Sequence, residues 1–119
     1  MSLTLHTQSN RGYNMSYSHR IADLQLTERL EAFGAVLIEG PKWCGKTTTA
    51  EQMSNSVIKM QDTEMQEEYA ATAASKPSLL LMGETPRLID EWQDAPVLWD
   101  AVRTMVDKRQ VPGQFILTG

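Results

Sequence analysis

The sequence predicts an α/β fold, a parallel sheet between two layers of helices, and three observations carry that prediction. Four short apolar runs, at 35–38, 57–60, 88–90 and 115–118, alternate with segments that carry helix signals. The first run leads into a glycine-rich loop and a helix. That loop, Gly40-Pro41-Lys42-Trp43-Cys44-Gly45-Lys46-Thr47, fits the pattern G-x-x-x-x-G-K-[ST] at every fixed position. The third run ends in Asp90-Glu91. At 119 residues the chain is long enough to bury a core and short enough to be one domain.

The elements follow in order. Residues 1–18 are rich in Ser, Thr, Asn, Gln and Tyr and show no period. They are expected to be an N-terminal arm, mobile or in part a cloning addition, with Met15 a second candidate start. Residues 19–119 then form the folded portion. Leu26, Leu30 and Phe33 fall at helical spacing over 23–33, and Gly34 supplies the stop. The strand at 35–38 and the helix at 47–53 flank the glycine-rich loop. A second strand at 57–60 is closed by Asp62. Thr63 with Gln66 three residues on predicts a capping box that opens a helix running to about Ser75. Pro77 breaks that helix, and 79–82 reads as a helical turn or a strand, ended by Gly83. After the strand at 88–90, Asp94 and Pro96 mark a helix start with Leu98, Val102, Met105 and Val106 as its apolar stripe. Val111-Pro112-Gly113 is a turn before the last strand.

Composition narrows the function classes. Hydrophobic residues make up 41% and charged residues 22%, the balance of a globular protein, and no apolar run approaches membrane-spanning length. The N-terminus lacks the basic start and apolar core of a secretory signal. Cys44 is the sole cysteine, so no internal disulfide forms and a cytoplasmic setting is expected. A net charge of −4 argues against a broad nucleic-acid surface on this chain.

The loop carries the chemistry. Its glycines let the backbone turn tightly, so that successive N–H groups point inward and make an anion nest. The helix that follows adds the positive end of its dipole, where phosphate is favoured. Lys46 then reaches the β- and γ-phosphates, the Thr47 hydroxyl ligates Mg²⁺, and Thr48 continues the loop into the helix. Arg87-Leu88-Ile89-Asp90-Glu91 has the form of a Walker B strand. Asp90 would emerge beside the loop and hold Mg²⁺ through water, and Glu91 would polarise the water that attacks the γ-phosphate. Thr118 ends the strand expected between these two. In NTPases with Asp-Glu at this place, a polar residue there touches the γ-phosphate or the attacking water; the other reading of Thr118 is a β-branched residue suited to a strand end.

These residues resemble the N-terminal part of the prokaryotic AAA+-type ATPases that pair a P-loop domain with a C-terminal domain of unknown function, often described as nuclease-like. The resemblance covers about 17–119: Tyr17 and Arg20 of a Tyr-x-x-Arg start, the loop itself, Leu88-Ile89-Asp90-Glu91-Trp92-Gln93, and Phe115-Ile116-Leu117-Thr118-Gly119. It implies a three-layer P-loop NTPase fold with a RecA/AAA+-like sheet, ATP/ADP as ligand, and Mg²⁺. It also puts Tyr17 and Arg20 near the adenine, where both could stack on the base; solvated surface is the other reading. The resemblance implies a sheet in which the last strand lies between the first and third and a fifth flanks the loop strand. With nothing after Gly119 to supply that strand, the helical lid or a sensor 2 arginine, a truncated domain with an open sheet edge is expected. That edge should be covered by another copy, through self-association, or by an arm. A five-stranded sheet completed within one chain would count against this expectation.

Other residues have two readings each. Cys44 is a redox-sensitive thiol or a small loop filler. Arg103 and Arg109 are arginine fingers towards a neighbouring subunit or solvated helix residues. Gln93 orients water or is a loop glutamine. Trp43 and Trp92 flank the two motifs, Trp99 reads as core, and His6 and His19 show no metal spacing. The leading function is ATP binding and hydrolysis. The alternatives are a nucleotide-gated binding module with little turnover and a P-loop small-molecule kinase, for which no Arg-rich lid is visible. A downstream partner, protein or nucleic acid, is not specified by the sequence.

Overall fold

The structure, a computed structural model, describes residues 2–4, 15–39 and 46–119, with side chains described from 24 to 39 and from 49 to 119. Its strands are β1 (Ser2–Thr4), β2 (Ala35–Glu39), β3 (Ser56–Lys59), β4 (Arg87–Asp90) and β5 (Phe115–Thr118). Its helices are α1 (Met15–Ala32), α2 (Lys46–Met53), α3 (Gln66–Ser75) and α4 (Val97–Arg109), with 3-10 turns at Pro77–Leu81 and Trp92–Asp94. All strand pairs are parallel, in the order β1-β2-β5-β4-β3.

Period-two alternation divides the sheet into two buried faces. Val36 and Ile38 of β2, Leu88 of β4 and Ile116 of β5 pack with Leu26 and Leu30 of α1 and Ala50 of α2. The intervening residues Ile58, Ile89, Phe115 and Leu117 pack on the other side with Leu98 and Val102 of α4 and with Leu80 and Leu81 of the 3-10 turn. Most of these side chains are wholly buried. Each contributes roughly 1.5–3 kcal/mol of transfer free energy, which outweighs the weak intrinsic preferences of such short strands. Gly34 is needed at the end of α1 because α4 passes close by: a Cβ there would collide with the Val106 side chain. The Gly34 carbonyl accepts from the amides of Gln114 (2.9 Å) and Phe115 (3.0 Å), which fixes where β5 starts beside β2.

Strands β2 to β5 form the incomplete all-parallel core that the sequence predicts, with β5 between β2 and β4 as expected. The expectation of an open β2 edge is corrected. Ser2, Leu3 and Thr4 pair with Leu37, Ile38 and Glu39, so the sheet has five strands within a single chain. Of the two coverings expected, the arm is the one found. Helix α1 also begins at Met15, and the boundary expected after Ser18 falls inside it. Residues 5–14 of the arm lie outside the described residues.

The capping box does not form. Helix α3 starts at Gln66 behind Met65, with no side-chain cap. Asp62 takes the first-turn donors instead: its carbonyl accepts from Met65 (3.1 Å) and Gln66 (2.8 Å), and its Oδ1 accepts from the Glu64 amide (2.9 Å). The Gln66 amide that the Thr63 hydroxyl would cap in such a box is thus already taken by the Asp62 carbonyl. Residues 79–82, open between helical turn and strand, fall mostly within the 3-10 turn. Among the described residues no helix is long and apolar enough to cross a membrane.

Candidate nucleotide-binding site

Strand register assembles the site. Ile38, Thr118, Asp90 and Lys59 are successive partners across β2, β5, β4 and β3, one row along the carboxyl edge of the sheet. In-register neighbours share a face, here the face that α2 covers. Carboxyl ends of parallel strands are where ligands bind in such sheets. The loop 40–45 joins β2 to α2 at this edge, with only β5 between β2 and β4. At about 4.8 Å per strand spacing, the loop strand and the Asp90 strand are roughly 10 Å apart.

The Thr118 hydroxyl, fully buried, donates to Asp90 Oδ1 at 2.6 Å. That is the short distance of a charge-assisted bond, and it fixes the carboxylate rotamer. The backbone reinforces it: the Glu91 amide donates to the Thr118 carbonyl at 2.7 Å, and the Met60 amide to the Asp90 carbonyl at 3.1 Å. Glu91 then turns sharply, with φ 58° and ψ 46°. A left-handed conformation at a non-glycine residue costs on the order of 1 kcal/mol and is concentrated at functional sites. It ends the strand and throws the chain into the Trp92–Asp94 turn. Gln93 Nε2 donates to Glu91 Oε2 at 2.5 Å, and a Cβ on Gly119 would collide with the Gln93 side chain. The Glu91 carboxylate is thus held by the amide end of Gln93, which lies against Gly119.

Not every expected residue can be placed. Gly40, Pro41, Lys42, Trp43, Cys44 and Gly45 lie outside the described residues. Lys46, Thr47 and Thr48 form the first turn of α2, and Tyr17 and Arg20 lie in α1, but their side chains lie outside the described part too. Asp90 and Thr118 are brought together. Arg103 makes an exposed pair with Asp100 (3.8 Å), and the Arg109 guanidinium lies 5.7 Å from the Phe115 ring centroid. Phe115 begins β5 and Thr118 ends it, so Arg109 sits at the far edge of the sheet from Asp90. Trp99 is half-buried, packs against the core and stacks at a tilt on Trp92, with ring centroids 5.5 Å apart.

Sequence reasoning missed a charged pair at this edge. Lys59 Nζ contacts Glu51 Oε1 at 2.7 Å, tying β3 to α2. The Glu51 hydrogen bond and charge push the Lys59 pKa up from 10.5, with Asp90 and Asp62 adding to the effect. The signal was available, because a lysine that ends a parallel strand emerges at the ligand edge.

A family profile described as an AAA domain matches residues 32–119. The chain belongs to the AAA domain family. It is an AAA-type ATPase domain, and it is similar to uncharacterised proteins of Mycobacterium bovis and Mycobacterium tuberculosis, each 30% identical over 106 residues. The matched stretch is 88% of this chain and 24% of each relative, so the chain spans about a quarter of the length of the curated relatives it matches. No solved structure matches it.

An AAA domain implies a nucleotide, with Mg²⁺ its usual companion, and the donors at the edge suit that ion. A carboxylate oriented by a buried hydroxyl is a hard oxygen ligand. Among the described residues no three His, Cys, Asp or Glu side chains form a metal cage. Mg²⁺ held mainly by water and phosphate needs only one or two protein oxygens.

Proposed function

We propose that this AAA domain binds ATP at the carboxyl edge of its sheet and hydrolyses it. The observation that carries the reading is the Thr118–Asp90 hydrogen bond, in register beside the strand that feeds the Gly40–Thr47 motif. Residues 40–45 wrap the phosphates with backbone amides, and Lys46 neutralises charge on the β- and γ-phosphates. Thr47 and Asp90 would hold Mg²⁺, Asp90 through water, and the bound ion would supply positive charge against the phosphate oxygens. Thr118 keeps Asp90 aimed and lies next to the position of the γ-phosphate. Glu91 accepts the proton of the attacking water as its oxygen bonds to the γ-phosphorus. The bond from that phosphorus to the bridging oxygen breaks, and ADP leaves with the electron pair. Thr48, Tyr17 and Arg20 extend the contact surface, the latter two towards the base.

The reading is tested by calorimetry with Mg·ATP and Mg·GTP on the chain and on Lys46→Ala, followed by an assay of phosphate release. The account expects saturable, ATP-selective binding that Lys46→Ala abolishes. Glu91→Gln should keep binding and lose at least 100-fold in turnover, the scale of a missing general base. Unchanged turnover in Glu91→Gln would remove Glu91 from the mechanism.

A further inference from the structure

We propose that Lys59, clamped by Glu51, is a positioning residue that sets how tightly a divalent cation is held at Asp90. The inference rests on the reading of Asp90 as the carboxylate that holds the metal. Lys59 and Asp90 are in-register partners on β3 and β4, so their side chains leave the same face about 5 Å apart at the backbone. The Lys59 ammonium does not close directly on that carboxylate: its 2.7 Å ion pair is with Glu51, on the helix that follows the phosphate loop. A fixed positive charge therefore stands next to the proposed metal position, drawn aside by a glutamate.

A scaffolding role explains this pair poorly. Its two side chains are 51% and 39% exposed. Exposed pairs of this kind add little to stability. Their electrostatic effect on a neighbouring doubly charged ion is larger, because repulsion scales with the product of the charges. Lys59 opposes the metal, and Glu51 limits that opposition by holding the ammonium away. The phosphate-loop helix and the metal carboxylate are coupled through this one side chain. A shift of α2 that loosens Glu51 would release the ammonium towards Asp90 and expel the cation.

The two ends of the clamp therefore predict opposite changes. Lys59→Met removes the repulsion and should tighten the cation about three- to tenfold. Glu51→Gln frees the ammonium to lie on Asp90 and should weaken the cation by a similar factor. Mn²⁺ titrated into the chain with ADP present, read by electron paramagnetic resonance, measures both, with thermal unfolding checked for each variant. Opposite shifts that both vanish in an Asp90→Asn background are the expected result. If the two variants change Mn²⁺ affinity in the same direction or not at all, while Asp90→Asn weakens it, the clamp is wrong and the metal site stands. If Asp90→Asn leaves Mn²⁺ affinity as in the wild type, the metal site falls and the clamp with it.

Discussion

Strand β4 carries a charged residue at each end, and the two ends do different work. Arg87, at the amino edge, is half-buried and tied to its surroundings by two hydrogen bonds. Its Nε donates to the Leu80 carbonyl at 2.8 Å and its Nη1 to Ser56 Oγ at 3.1 Å. Burial there pushes its pKa down. Neighbouring polar groups close on backbone in the same way: Asn55 on the Thr85 carbonyl (2.7 Å), Ser56 on that of Glu84 (2.5 Å), Gln114 on that of Val111 (2.7 Å). At the carboxyl edge, Asp90 takes a hydroxyl from Thr118, and a second carboxylate follows on a strained backbone. Polar groups at the amino edge end mostly on main-chain acceptors and hold elements together. Those at the carboxyl edge orient one another towards the strand ends, which is what a ligand site requires.

Substitutions at the two ends should therefore fail differently, and the largest contrast lies in β4 itself. Asp90→Asn, whose side-chain oxygen can still accept from Thr118, should weaken Mg²⁺-dependent nucleotide binding at least tenfold while leaving the thermal midpoint little changed. Arg87→Ala should do the reverse: a stability loss of about 1.5–3 kcal/mol, from lost hydrogen bonds to a charged group, with nucleotide affinity of the folded protein preserved. Thermal unfolding beside calorimetry separates them. A stability loss in Asp90→Asn as large as that in Arg87→Ala would erase the distinction.

Thr118→Val sharpens the comparison. It keeps the shape of a buried strand residue and removes only the donor to Asp90, so Mg²⁺-dependent affinity should fall about tenfold, the worth of a charge-assisted bond. Deleting residues 1–5 tests the opposite flank. It uncovers β2, and sedimentation should then show more concentration-dependent self-association than the intact chain does. The smallest effect is expected at Thr49, whose buried hydroxyl finds no partner. Thr49→Val should change stability by less than about 1 kcal/mol, and in the favourable direction if at all.

Much of this was legible beforehand, because hydrophobic alternation and turn residues act locally. The four core strands, α2, α4 and the placement of Asp90 at a strand end all follow from spacing. Strand β1 was not legible: Ser2-Leu3-Thr4 has no distinguishing pattern, and its pairing with β2 is a long-range event. Helix α1 extends eight residues before its first periodic apolar position was sought, over Tyr, Ser, His and Arg that show no stripe. At α3 the local capping signal lost to a turn built on Asp62, an outcome decided by where β3 ends. The Lys59–Glu51 pair depends on how α2 lies across the sheet, which no window of sequence reports. The Thr118–Asp90 bond needed the strand order, which came from resemblance and is now seen in the register.

The central claim is that Asp90 at the carboxyl edge serves a metal-bound nucleotide. The most direct measurement is ATP binding by calorimetry to wild type and Asp90→Asn, each in excess Mg²⁺ and again in EDTA. The account predicts equal affinities in EDTA and a loss of at least tenfold for Asp90→Asn when Mg²⁺ is present. Equal affinities under both conditions would contradict it.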